Sequence, residues 1–169
     1  TVNDLAVMGA TPLFLSCALV LEEGLEFEDL ERVLDSMKSE ADRAGVAIVT
    51  GDTKVVPNGK ADRIFINTSG IGLIEGLAQR REIEPGDAII VSGTIGDHGM
   101  SIMALRNSLS FSRGLSSDCA PLNRMIRAVT DQFPKSVKFM RDPTRGGVAS
   151  VLNEIVKGRQ ISARLIEAN

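Results

Sequence analysis

Two short stretches gather residue types that do chemistry at close spacing. In "GDTK" at 51–54, Asp52 offers a hard carboxylate oxygen and Lys54 an ammonium two residues on. A carboxylate of this kind suits Mg²⁺, which commonly takes one or two carboxylates and completes its shell with substrate phosphates and water. The ammonium suits a phosphate or a carbonyl-type oxygen; the plainer reading is an acid and a base decorating a hairpin. Asn3 and Asp4 pose the same choice, with an N-cap aspartate as the plain alternative. In "RDPTRGG" at 141–147, Thr144 supplies a hydroxyl, Arg145 a bidentate fork, and Gly146 and Gly147 a backbone open to close approach. The first N–H groups of a helix lack intrahelical partners and carry partial positive charge, so such a mouth suits an anion. Asp142 is equally suited to capping the helix that follows. His98, the only histidine, lies beside Asp97 in "GTIGDHG". Alone it assembles no zinc site, and no Ser-His-Asp order accompanies it. It is either a polar contact or proton carrier, or a ring bonded to a nearby carbonyl. None of these loops is a Walker motif or a dinucleotide fingerprint.

The elements that must position these residues alternate. A short helix is expected at 3–9 and a buried strand at 13–21. In "EFEDLERVLDSMKSEADRAG" the residues Phe27, Leu30, Val33, Leu34, Met37, Ala41 and Ala44 step by three and four, which marks one helix face, with Gly45 as its stop. A strand at 46–50 then leads into a loop holding "GDTK", and "RIFINTSGIGLI" reads as a β-branched strand whose glycines mark bulges. The first half is therefore mixed α and β. After the charged "QRRE" at 79–82, read as a solvated linker, a domain boundary is expected near residue 83, and a Pro-Gly-Asp turn opens a strand at 88–92. A helix through Met100, Met103, Ala104 and Leu105 follows. Another spans "SSDCAPLNRMIRAVTDQF", with Ser117 or Asp118 as cap and Pro121 in its first turn. A short strand at 137–140 leads to a helix at 148–156. Met100, Met103 and Met125 are expected in the core. Strand, glycine-bearing loop and helix thus recur at 93–99, at 141–147 and, less clearly, at 51–54.

Composition narrows the function classes. The 169 residues are 43% hydrophobic and 24% charged, with a formal net charge of -3 and a pI near 5.2. The basic residues are scattered, so nothing resembles a nucleic-acid footprint. No apolar run approaches the ~18 residues of a membrane span. Cys17 and Cys119 form neither a CxxC pair nor a framework of bridges, which points to a reducing, cytoplasmic compartment. The opening "TVNDLAVMGATP" and closing "ISARLIEAN" read as the interior of longer elements, so a fragment of a longer protein is expected.

Taken in order, "TVNDLAVMGATP", "VTGDTKVV", "INTSGIG", "GDAIIVSGTIGDHG", "SDCAPL" and "RDPTRGGVASVLNE" resemble the HypE-like hydrogenase-maturation proteins. These are a branch of the aminoimidazole-ribonucleotide-synthetase-like (PurM-like) superfamily of ATP-using enzymes. The resemblance implies two mixed α/β domains, both incomplete here. The first, at 1–83, would bind ATP and pair in a homodimer; the second is at 84–169. It implies ATP and Mg²⁺, and a reaction in which a carbamoyl group on a C-terminal cysteine is dehydrated to a thiocyanate. The cyanide then serves a nickel-iron hydrogenase, with HypF as carbamoyl donor and a HypC–HypD complex as acceptor. By position, Asp4 and Asp52 match the residues expected to hold Mg²⁺ and nucleotide, and Lys54 the lysine that approaches the carbamoyl group. Asn3, Thr53 and Asn67 match the nucleotide pocket. His98, Asp142, Thr144, Arg145, Gly146 and Gly147 match loops of the second domain that face the site. The family's Pro-Arg-x-Cys tail does not occur in these residues, so the fragment alone is expected to be inactive. Two other readings stand beside this one: a non-catalytic dimerisation and docking module, and another ATP-using enzyme of the superfamily with a small-molecule acceptor.

Overall fold

The computed structural model describes residues 1–74, 81–109 and 114–166. Its elements are α1 (Val2–Val7), β1 (Thr11–Glu22), α2 (Phe27–Ala44), β2 (Ala47–Val56), β3 (Ile64–Leu73), α3 (Asp97–Arg106), α4 (Asn123–Gln132) and α5 (Gly147–Val156). Two compact units form. The first joins Thr1–Arg80 to Pro121–Met140, and the second joins Arg81–Ala120 to Arg141–Asn169. The contacts therefore interrupt a single cut near residue 83, because α4 packs with the first unit. Part of "QRRE" lies outside the described residues.

The first unit is built on a sheet of order β2-β1-β3, with β1 parallel to β2 and antiparallel to β3. The parallel pair needs a crossover, and α2 supplies it. Acidic Glu28 and Asp29 in its first turn and Arg43 in its last complement the helix dipole. Gly45, at φ 74°, turns the chain out of the helix. The Gly45 N–H donates to the Asp42 carbonyl at 3.1 Å and the Val46 N–H to the Ala41 carbonyl at 3.0 Å. This pair of bonds satisfies carbonyls that a helix end otherwise leaves open.

Alternation along β1 buries Leu15, Cys17 and Leu19 on one face. The buried core joins Leu15 to Ala41, Ala44 and Val46, with Val2 packed against it. The expected stripe on α2 is only partly covered. Ala41 and Ala44 are buried and Leu30, Val33 and Met37 half-buried, whereas Phe27 and Leu34 are exposed. The N-terminal half of α2 thus flanks an opening of about 680 Å³, lined in part by Leu25, Val33, Met37, Ile64 and Ile66.

Several expectations are corrected. "GDTK" is not a loop and no helix follows it; it is the middle of β2, paired residue for residue with β1 from Cys17–Gly51 to Val20–Lys54. Gly51 fits this position because a Cβ there would lie 2.7 Å from the Cys17 carbonyl oxygen. The irregularities of the ladder do not fall on the glycines of β3. They leave Leu13 of β1 and Val49 of β2 as the extra residues. Gly70 of β3 is instead a packing glycine, where a Cβ would meet Leu15 Cδ2 and Leu5 Cδ1 at 2.8 Å.

In the second unit the strand expected at 88–92 is irregular, and Ile89, Ile90 and Val91 are exposed. The segment at 137–140, which belongs with the first unit, is likewise not a strand. A strand exists by pairing, and no described residue offers either segment a ladder. Met100, Met103 and Met125 are not core either, at 43%, 52% and 43% exposed: on α3 only Ser101 and Ala104 are buried, and α4, which carries Met125, buries none of its residues. α4 begins at Asn123, after the expected caps, and is fastened to the first unit. The Asn123 Nδ2 donates to the Ala44 carbonyl at 2.8 Å, and Arg127 Nη1 to Thr11 Oγ1 at 2.7 Å. No helix among the described residues is long and apolar enough to cross a membrane.

Candidate functional site

The register of the first unit decides which candidate side chains meet. Asp52 pairs with Ala18 of β1, and Ala18 pairs on its other side with Asn67 of β3. The next row, two residues along, is Lys54, Val20 and Phe65. Paired residues share a face, and residues two apart stay on it. Asp52, Lys54 and Asn67 therefore stand on one face of the sheet, opposite the face where Leu15, Cys17 and Leu19 are buried. The preceding row on this face is Thr50, Ser16 and Ser69, three hydroxyls that the sequence reading did not single out. The period-two alternation through "IFINTSG" was the signal for Ser69. Beyond this polar band lies an apolar border, and Phe14, Phe65 and Ile71 are 47%, 53% and 69% exposed.

Asp52 Oδ1 accepts the Thr53 N–H at 2.9 Å. Lys54 is exposed and has no ion-pair or hydrogen-bond partner among the described residues. Thr53, paired with Leu19, turns to the covered face instead, and borders an opening of about 410 Å³ with Cys17, Leu34 and Met37. By strand alternation Thr53 stands on the other face from Asp52 and Lys54, although Asp52, on the edge strand β2, also borders that opening. Asn3 Oδ1 accepts the Leu122 N–H at 2.8 Å, so its carbonyl oxygen is engaged in holding the start of α4. Asp4 is exposed on α1, which packs over the covered face through Leu5 and Thr1 against Gly70. Asp4 and Asp52 are not gathered into one cluster, and no group of three potential metal ligands occurs among the described residues.

In the second unit two loops hold the remaining candidates. Gly96, at φ 87°, precedes α3, and His98 sits in its first turn. The His98 N–H donates to Asp118 Oδ1 at 3.1 Å, and His98 Nδ1 lies 3.0 Å from Ser117 Oγ. Ser117 Oγ also accepts the Cys119 N–H at 3.1 Å. Of the two expected caps of α4, Asp118 instead takes a backbone N–H in the first turn of α3, and Ser117 meets the His98 ring. Their capping residue types were legible; their target was not.

In the other loop, Thr144 Oγ1 donates to Asp142 Oδ2 at 2.5 Å. Asp142 makes no cap bond to α5, whose N-cap is Gly146. Gly146 and Gly147 have φ 72° and 63°, and a Cβ on Gly146 would fall 1.9 Å from Ser150 Oγ. Arg145 is exposed and unpaired among the described residues. Among the described residues no hydrogen bond or ion pair joins this loop to His98, and the two mouths are built separately. Both glycine-bearing mouths open a helix, as the sequence pattern requires.

Comparison with known proteins matches the chain to two family models in succession, the second of which includes α4. The family described as AIR synthase related protein, N-terminal domain, matches residues 1–74, and the corresponding C-terminal domain matches residues 84–168. The chain is 47% identical over 169 residues to "Carbamoyl dehydratase HypE" of Rhizobium leguminosarum bv. viciae, covering 99% of this chain and 48% of that protein. A solved HypE-HypF complex contains a chain with 52% identity and a TM-score of 0.85, covering 93% of this chain and 52% of that one. HypE solved in complex with ATP gives 49% identity and a TM-score of 0.85, covering 92% and 47%. The chain spans about half the length of the curated relatives it matches.

Proposed function

The chain belongs to the AIR synthase related protein family, and on that premise we propose that it is part of an ATP-dependent carbamoyl dehydratase of the HypE kind, cytoplasmic and homodimeric. At the length of its relatives, the protein would phosphorylate the oxygen of a carbamoyl group carried on its C-terminal cysteine sulfur. Loss of phosphate then leaves a thiocyanate, whose cyanide serves a nickel-iron hydrogenase. HypF is the proposed carbamoyl donor and HypC–HypD the acceptor. The similarity to HypE over 99% of the chain supports the reaction class, and the relative solved with ATP supports the nucleotide. Cys17 is buried, and neither it nor Cys119 is given the acceptor role; the 169 residues by themselves are proposed to be inactive.

The observation that carries the site is the common face of Asp52, Lys54 and Asn67. Lys54, unpaired and exposed, stabilises negative charge developing on the oxygen that becomes phosphorylated. Asn67 offers an amide donor and an acceptor two strands away from Asp52, suited to orienting a polar ligand across Ala18. Asp52 keeps Oδ2 available while Oδ1 holds its own loop-free strand through the Thr53 N–H. Asp52 and Asp4 each offer the hard carboxylate oxygen that suits Mg²⁺ but are not brought together, so Asp52 would hold the ion with phosphates and water completing its shell rather than a protein cage. Bound there, Mg²⁺ would neutralise charge on phosphate oxygens. His98 and the loop carrying Asp142, Thr144, Arg145, Gly146 and Gly147 are proposed to contact the nucleotide or the reacting group.

The test uses Asp52→Asn and Lys54→Ala in the protein at the length of its relatives, with carbamoyl donor and ATP. Each should lower ATP-dependent cyanation, Lys54→Ala by about 10²-fold or more, with unchanged melting. Normal turnover in both variants would remove these residues from the site. The apolar border of Phe14, Phe65 and Ile71 favours a second reading, a pairing and docking module that uses this face without catalysis. Stable dimers in sedimentation together with no calorimetric heat for Mg²⁺-ATP would select it. A small-molecule acceptor would be indicated if mass spectrometry found ATP-dependent turnover with no carbamoylated cysteine.

A further inference from the structure

The segment that precedes α4 carries two side chains aimed at one residue of α3. Asp118 takes the His98 backbone N–H, and Ser117 Oγ stands at 3.0 Å from the ring nitrogen Nδ1. The direction of that second bond depends on the ring's tautomer, and the serine's other partner bears on it. Ser117 Oγ already accepts the Cys119 N–H. A hydroxyl has one proton to give, and among the described residues the acceptor within reach is Nδ1. A neutral imidazole carries one N–H, and the bond made by one nitrogen decides which nitrogen keeps it. We propose that Ser117 is a positioning residue for His98: its hydroxyl donates to Nδ1, holds the ring as the Nε2–H tautomer, and leaves that N–H as a neutral donor for an oxygen of the ligand.

The ring is held on two sides of its attachment. Asp118 fixes the backbone at the first turn of α3, where a carboxylate is also favoured by the helix dipole, and Ser101 Oγ donates to the His98 carbonyl at 2.8 Å. With the backbone fixed and Nδ1 occupied, Nε2 is the ring's remaining polar atom. The consequence for catalysis rests on the dehydratase reading above; the tautomer does not.

His98 is the only histidine of the chain, so a sample without a histidine tag gives one set of imidazole signals. The experiment is nitrogen-detected NMR of the ¹⁵N-labelled 169-residue chain near pH ~8, where an ordinary imidazole is neutral. Three forms are compared: the wild type, Ser117→Ala and Ser117→Thr. The wild type should show Nδ1 as the unprotonated nitrogen. Ser117→Ala should move the tautomer ratio toward Nδ1–H by roughly fivefold, the worth of one ordinary hydrogen bond. Ser117→Thr, which keeps the hydroxyl, should restore the wild-type pattern. A wild type dominated by Nδ1–H, or a ratio that Ser117→Ala leaves unmoved, overturns the proposal. General damage to the fold would affect both variants and fail to produce the Thr rescue, which also overturns it. In the protein at the length of its relatives, turnover should fall for Ser117→Ala and recover for Ser117→Thr. If the tautomer moves as expected while turnover ignores both Ser117→Ala and His98→Ala, the positioning role stands and the catalytic role of His98 falls.

Discussion

In the first unit, Asp52, Lys54 and Asn67 take their places from a ladder of backbone bonds shared by three strands, while in the second, His98 and the residues at 142–147 take theirs from turns and a few side-chain bonds at the mouths of helices. A ladder fixes many residues at once, and slipping it by one residue turns every side chain to the other face. A helix mouth is a local solution. It depends on one or two backbone conformations and can fail without disturbing what lies elsewhere. The same three site chemistries, carboxylate, cation and amide or hydroxyl, are thus delivered by a cooperative device in one unit and by local devices in the other.

This contrast can be broken or sharpened by substitution. The largest effect is expected for Gly51→Val, which sets a branched side chain against the Cys17 carbonyl oxygen in the middle of the ladder. It should cost about 3 kcal/mol, and hydrogen exchange should show β1, β2 and β3 losing protection together. Loss confined to residues around 51 would mean that the ladder is not cooperative.

Gly146→Ala comes next. Its φ of 72° and the Ser150 hydroxyl in the way make the substitution unfavourable, at about 1–2 kcal/mol for the left-handed conformation. Exchange should quicken at the start of α5 while the sheet stays protected; global unfolding would erase the distinction between the two units. Asn123→Ala removes the bond to the Ala44 carbonyl and should cost about 1 kcal/mol. It should loosen α4 first, seen as faster exchange at residues 123–132 than in β1, and equal loss in both would show that α4 is integral to the sheet's stability.

The smallest effect lies in acid. Glu22 has its carboxyl held below the ordinary range by the Arg63 N–H and then the Gly59 N–H, and Asp29 by its bonds to Arg32 and Arg63. A carboxyl whose folded pKa is depressed contributes stability above its unfolded pKa and loses it as pH falls through the folded value. Melting of the first unit should therefore drop slightly below the ordinary carboxylate range, and Glu22→Gln should flatten that part of the profile. A profile identical to the wild type would show that the Glu22 contact with the turn at 57–63 adds nothing, as exposed pairs often do.

Much of the first unit was legible because its signals are periodic. The α2 stripe, the stop at Gly45 and the β-branched run of β3 all reflect side-chain spacing that water and packing enforce locally. "GDTK" misled because glycine and a charged pair are turn vocabulary. The parallel partner β1, thirty-odd residues earlier, supplied the bonds that make it a strand. Ser117 and Asp118 misled in the other direction, since the Asp118 carboxylate takes an N–H of the helix start near in space and the Ser117 hydroxyl a side-chain ring nitrogen there. The expected strand at 88–92 and the methionine core failed for one reason: apolar runs state what wants to be buried but not what will bury it.

By itself the sequence determined the helices, the glycine-bearing mouths and the family, because each rests on residues close together in the chain or on motifs kept in order. Only the tertiary structure decided that Asp52, Lys54 and Asn67 share a face while Thr53 leaves it, that Asn3 is engaged with the Leu122 backbone, and that Ser117 and Asp118 serve His98. Those facts depend on strand register and on contacts between distant segments, and no local preference encodes which row of a ladder a residue will join.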